Sequence, residues 1–139
     1  WVRPDVISGD RGIVGNSGHE FASNVQLELD PTGKAYMVWD SGPGAGETWT
    51  TDDVVASAGV WMHIVAVRIS NGDVDIYVNA INKAVSVTGN DTPATAPGNL
   101  DIGQYGGDAD YFDGQIDEVR VYNRVLTPDE IKRLYQMGR

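Results

Sequence analysis

Between Gly114 and Ile131 the hydrophobic period of the chain changes from two to about 3.6, with no linker between the two patterns. Val119 and Val121 alternate with Glu118, Arg120 and Tyr122, as in a half-buried strand. Thr127 is then a good helix N-cap, Pro128 suits the first helical position and Glu130 completes a capping box. Leu126 and Ile131 can form a hydrophobic staple across that start. Ile131, Leu134 and Tyr135 make one apolar helical face, and Gly138 is placed to end the helix. The sequence therefore predicts a strand that hands over directly to a capped helix, with the helix packed onto a sheet.

The remaining signals are strands and turns. Asn24 to Asp30 alternates Val25, Leu27 and Leu29 against Gln26, Glu28 and Asp30. Asp30-Pro31-Thr32-Gly33 is a turn, and Lys34 to Asp40 is the returning arm. Shorter strands are expected at Glu47 to Thr51, Val74 to Val78, Ala84 to Val87 and Leu100 to Gly103. Trp61 to Ile69 is the most apolar run and reads as the most buried strand, with Trp61 in the core. Asn71-Gly72 marks a tight turn. No repeat or internal linker divides the chain, so residues 1–139 are read as one domain. Many short strands separated by polar turns mean an all-β sandwich or barrel.

Composition removes several functions. The net charge is −10, from 20 acidic and 10 basic residues, and the basic face expected of a nucleic-acid binder is not visible in the sequence. Anionic lipid is disfavoured for the same reason, and no apolar run is long enough to span a bilayer. There are no cysteines, which excludes disulfides, thiol catalysis and cysteine-zinc sites. A secreted animal domain of this size often carries a disulfide, so a bacterial exported protein is the better expectation.

Several segments, in order, resemble laminin G-like domains of the concanavalin A-like lectin/glucanase superfamily. The run Gly114-Gln115-Ile116-Asp117-Glu118-Val119-Arg120-Val121-Tyr122-Asn123-Arg124 and its continuation to Glu130-Ile131 resemble the tail of that family. Trp61-Met62-His63-Ile64-Val65-Ala66-Val67 is similar to its W-x-H-V-A-V strand, Ile76-Tyr77-Val78-Asn79 to its L-Y-V-D/N-G hairpin and Leu100-Asp101-Ile102-Gly103 to its L-x-I-G strand. The resemblance implies an antiparallel jelly-roll β-sandwich with one short C-terminal helix. It implies a non-catalytic extracellular or cell-surface module that binds a glycan or a cell-surface protein, with calcium in some members. The rivals are a structural or protein-interaction domain of a larger bacterial surface protein and, third, a glycoside hydrolase fragment. Two departures stand out. Ala80 occupies a hairpin position where the family usually has glycine, so a longer or differently shaped turn is expected. The first strands of the family would precede Trp1, so an incomplete sandwich is expected, completed by a missing N-terminal segment or another subunit.

The residues offer few catalysts. A jelly-roll glycosidase would set paired carboxylates on one strand face in an E-x-D-x-x-E pattern. Glu28-Leu29-Asp30 begins that pattern, but Gly33 stands where the second glutamate belongs. His63 lies inside an apolar strand and reads as a packed histidine. Asp117, in phase with Val119 and Val121, is expected to be buried, either bonded to backbone N–H groups or holding calcium. Asp108, Asp110 and Asp113 form a second acidic cluster, whose oxygen ligands on a loop suit calcium. For a sugar, whose C–H faces stack on rings, the candidates are Trp49, Tyr105, Tyr111 and Trp39.

Overall fold

A computed structural model of the chain describes residues 1–16, 24–42, 45–69, 72–89, 100–104 and 111–138. The elements are β1 (Val2–Pro4), β2 (Arg11–Asn16), β3 (Asn24–Leu29), β4 (Ala35–Gly42), β5 (Ala45–Thr51), β6 (Ile64–Arg68), β7 (Val74–Val78), β8 (Ile81–Lys83), β9 (Val85–Thr88), β10 (Leu100–Ile102), β11 (Gly114–Ile116) and α1 (Pro128–Met137). One antiparallel sheet has the order β10-β2-β3-β4-β5-β9. A second layer contains the three-stranded sheet β6-β7-β8 and the pair β1-β11. The two parts of this layer are joined where Val2 pairs with Met62, just ahead of β6.

The strand alternation decides the core. Leu29, Ala35, Met37 and Trp49 point from the large sheet toward Val2, Met62, Val74, Ile76 and Val78 of the second layer. Residues between them in sequence face the other way, as the two-residue period requires. β6 is apolar on both faces for a reason. Ile64 and Ala66 pack on this core, while Val65 packs with Val67, Tyr77, Leu126 and Ile131 on the opposite side. There α1 lies over the second layer, with Ile131 fully buried and Leu134 half-buried.

Local chemistry explains the connections. The Asp30 carboxylate accepts hydrogen bonds from the Thr32 and Lys34 backbone N–H groups at 2.8 and 2.9 Å and from the Thr32 hydroxyl at 2.6 Å. Burial pushes this carboxyl up, but the hydrogen bonds outweigh it and hold the group below its ordinary value. At the helix start, the Thr127 hydroxyl accepts from Glu130 N–H and the Glu130 carboxylate accepts from Thr127 N–H, so the expected capping box forms.

Four expectations change. β2 and β8 were not foreseen among the strand signals. The strand predicted from Gly114 onward stops at Ile116, because Glu118 takes a φ of +52° and the chain from Asp117 to Thr127 joins no ladder among the described residues. Trp61 is at the surface, 40% exposed, rather than in the core. The hairpin at Asn79-Ala80 is a plain two-residue turn, with φ values of +52° and +65°, between the paired Val78 and Ile81. The side chain of Asn79 helps to fix it: Oδ1 accepts from His63 N–H at 3.0 Å, while Asn79 N–H donates to the His63 carbonyl at 2.8 Å.

Candidate functional site

Two surfaces of this sandwich differ sharply in chemistry. The first is the face of the six-stranded sheet turned away from the core. The register sets Glu28 beside Tyr36, Tyr36 beside Thr50 and Thr50 beside Ser86. One rung along, Gln26, Val38, Thr48 and Thr88 form a parallel row. The half nearest β9 is a run of hydroxyls, with Ser86 and Thr88 exposed and Thr48 and Thr50 half-buried. Ser86 donates to the Asp52 carboxylate at 2.6 Å.

The half nearest β2 is closed. Gln26 and Glu28 are buried, and the Tyr36 hydroxyl donates to the Glu28 carboxylate at 2.7 Å. Burial first, then Glu28 and Asp10, push the Tyr36 phenol far above its ordinary value, so it is a fixed donor. The Gln26 amide nitrogen is buried without a hydrogen-bond partner among the described residues. Across the ladder, Glu28 faces Gly12 and Tyr36, not a second carboxylate.

The second surface is a cavity of about 1490 Å³ between the large sheet, β6 and the chain after β11. Leu27, Met37 and Trp39 line one wall, and Ile64, Ala66 and Val121 line others. The Arg68 guanidinium stacks 4.0 Å over the Trp39 ring, covering it with charge. At one end Trp1 stacks on Tyr135 at 5.6 Å and lies 5.2 Å from His63. Burial, then the Trp1 ammonium and Arg120, lower the His63 pKa to about 4, so this histidine is neutral and packed.

The residues singled out in the sequence separate. Trp49 is 1% exposed and belongs to the core, so its ring is not open to a ligand; it sits on the inward phase of β5. Trp39 is half-buried on the inner face beneath Arg68. Tyr111 is exposed, one residue before Phe112, whose N–H donates to Gly103 beside β10. Tyr105, Asp108 and Asp110 lie outside the described residues. Asp117 is exposed, not buried as expected, because the left-handed turn at Glu118 takes it out of phase with Val119 and Val121. Its carboxylate accepts from Glu118 N–H at 2.8 Å. Among the described residues no group of three or more acidic or histidine side chains gathers to hold a metal. The polar rows at Gln26, Thr48, Thr50, Ser86 and Thr88 were missed, although the period-two pattern that buries Leu27 and Trp49 implies them.

A family model described as the concanavalin A-like lectin/glucanases superfamily, laminin G type, matches residues 1–132. A crystal structure of residues 221–444 of an S-layer domain-containing protein from Clostridium thermocellum is 27% identical. It aligns with a TM-score of 0.44 over 97% of this chain, and this chain spans 66% of its length.

Proposed function

We propose that this chain, which belongs to the laminin G-like branch of the concanavalin A-like superfamily, is a non-catalytic recognition module of an extracellular or cell-surface protein, and that it binds a glycan. The observation that carries the reading is the outward face of the six-stranded sheet. Its rows of threonine and serine hydroxyls suit sugar hydroxyls, which both donate and accept. Of the candidate rings among the described residues, Tyr111 is the exposed one, and it lies near the β10 edge, opposite the edge that carries the hydroxyl rows. Catalysis is disfavoured because the E-x-D-x-x-E strand pattern is broken at Gly33 and the Glu28 carboxylate is buried and bonded by the Tyr36 hydroxyl. Among the described residues no helix is long and apolar enough to cross a membrane.

The test is a glycan array read with and without calcium, followed by titration of any hit against Thr48→Val, Thr88→Val and Tyr111→Ala. Weaker binding by tenfold or more in the threonine variants is expected. A hit that all three variants bind unchanged would remove the polar face from the reading. Polysaccharide turnover that disappears in Glu28→Gln would make the protein an enzyme instead. The rival reading, a structural or protein-contact domain, draws on the exposed apolar side chains Trp61, Val121, Tyr122 and Val125. It gains if the array is blank in both conditions.

A further inference from the structure

The basic residues of this chain are segregated. All but Arg11, Lys34 and Arg139 lie in β1, β6, β8, α1 or the chain after β11, and none of these segments belongs to the six-stranded sheet. Arg139 lies outside the described residues. Arg11 opposes Leu29 of the core in the register of β2 and β3, so its position belongs to the inward column, and its guanidinium donates to the Ser8 hydroxyl at 3.2 Å. Lys34, just ahead of β4, is in step with Tyr36 and so belongs to the outward column. The pairing of Tyr36 with Thr50, carried two residues further, sets Lys34 beside Asp52. On its other side Asp30 N–H donates to the Lys34 carbonyl at 2.9 Å. Among the described residues, the one cation in the outward columns of the large sheet therefore stands between two acids.

The hydroxyl rows begin at this end of the sheet. Ser86 and Asp52 are both exposed, and Ser86 gives its proton to the Asp52 carboxylate at 2.6 Å. The pair thus offers a ligand only lone pairs: the serine oxygen and the carboxylate oxygens accept, and neither has a proton left to give. A sugar hydroxyl meets such a pair by donating. An ionised carboxylate or sulfate on a sugar has acceptors alone and brings charge of the same sign. Anions are held by arginine and lysine or by helix N-termini. Here α1 packs on the other layer, and its first turn is closed by Glu130. Neighbouring strands lie about 4.8 Å apart and charges are screened over about 8 Å at physiological salt, so Asp52 acts on any charged group seated at Thr50 or Ser86.

We propose that the outward face of the large sheet takes an uncharged glycan and rejects acidic ones, with Asp52 and Ser86 as the pair that determines this specificity. The proposal rests on the glycan reading above and adds the class of chain bound. Asp52 and Ser86 accept from sugar hydroxyls. Thr48, Thr50 and Thr88, whose hydroxyls both donate and accept, take the sugar oxygens that the acid pair cannot. A net charge of −10 repels anions from the whole molecule. The segregation makes that repulsion local, because the cations that offset acids elsewhere are not presented with the hydroxyl rows.

The experiment arrays neutral polysaccharides, each beside its own sulfated form, in about 0.01 M and about 1 M salt, where charges are screened over about 30 and about 3 Å. At low salt the neutral member of a bound pair is expected to be held about tenfold or more tightly than the sulfated one, and the margin is expected to narrow at high salt. Asp52→Asn, an exposed change at a strand end, is expected to narrow the low-salt margin about threefold or more. Asp129→Asn, the same loss of charge on α1, is expected to leave it unchanged. An Asp129→Asn effect equal to that of Asp52→Asn makes net charge the cause and overturns the proposal, as does a margin indifferent to salt or to Asp52→Asn. Tighter binding of a sulfated form overturns the choice of ligand and leaves the glycan reading standing. No binding to any chain, neutral or sulfated, overturns both.

Discussion

Ala80 holds a backbone conformation that costs an L-residue with a Cβ. Asn79 tolerates its φ of +52° through local hydrogen bonding, but Ala80 at +65° has no such relief. Ala80→Gly relieves left-handed strain of about 1–2 kcal/mol against a backbone-entropy cost of about 0.5–1 kcal/mol, so a net gain of about 0.5–1 kcal/mol is expected; a lower Tm would show that the turn does not carry this strain. His63 makes a second residue-scale prediction. Its folded pKa of about 4 lies below the ordinary 6.5. Above pH 6.5 both folded and unfolded chains hold it neutral. Between 6.5 and 4 the unfolded chain takes up a proton that the folded one refuses, so stability falls as pH falls, by up to about 3 kcal/mol. Tm of the parent should therefore drop more steeply over this window than Tm of His63→Asn. Parallel profiles would show that His63 is not held neutral by burial. The histidine was legible as a packed residue because it sits in an apolar run. Its partners, Trp1 and Tyr135, are distant in sequence and were not.

At the scale of the element, legibility followed locality. Every signal for α1 lies within a few residues, and the box at Thr127 and Glu130, the staple of Leu126 and Ile131 and the apolar face all form. The Arg124 guanidinium, then the Thr127 N–H, draw the Glu130 carboxyl down to about 2, so the capping carboxylate stays charged. Thr127→Ala is expected to cost about 1 kcal/mol, read as a lower Tm with partial loss of helical circular dichroism. No change in either would place the stability of α1 in its packing alone. β2 escaped notice because glycines at 12 and 15 break its pattern. A Cβ at Gly15 would lie 2.8 Å from the Val25 carbonyl oxygen, so close pairing with β3 demands the residue that hides the strand. The segment after Ile116 failed in the opposite sense. Its alternation is clear, but a strand is completed by a neighbour, and alternation cannot say whether one is there.

At the scale of the whole molecule, the sandwich was legible because the period-two runs state which residues face inward. Its candidate site was less so. Aromatic residues at strand positions were read as exposed or buried without the register that decides it, and Trp49 fell inside while Trp61 fell outside. The two layers meet through Ile76, which is fully buried against residues of the large sheet. Ile76→Ala should cost about 2–5 kcal/mol and shift far- and near-ultraviolet dichroism transitions together, as one cooperative unit. Separate transitions in the variant would mean that the layers hold independently.

The four indoles occupy different surroundings, and this gives the protein a built-in optical map. Trp49, sealed in the core, should emit at short wavelength and resist acrylamide, while Trp61, 40% exposed, should emit to the red and quench first. Trp39 lies under a guanidinium, and Trp1 rests on a tyrosine beside a histidine. Acid that charges His63 should dim the Trp1 component alone, so colour and intensity report separately on the core, the open surface and the chain terminus.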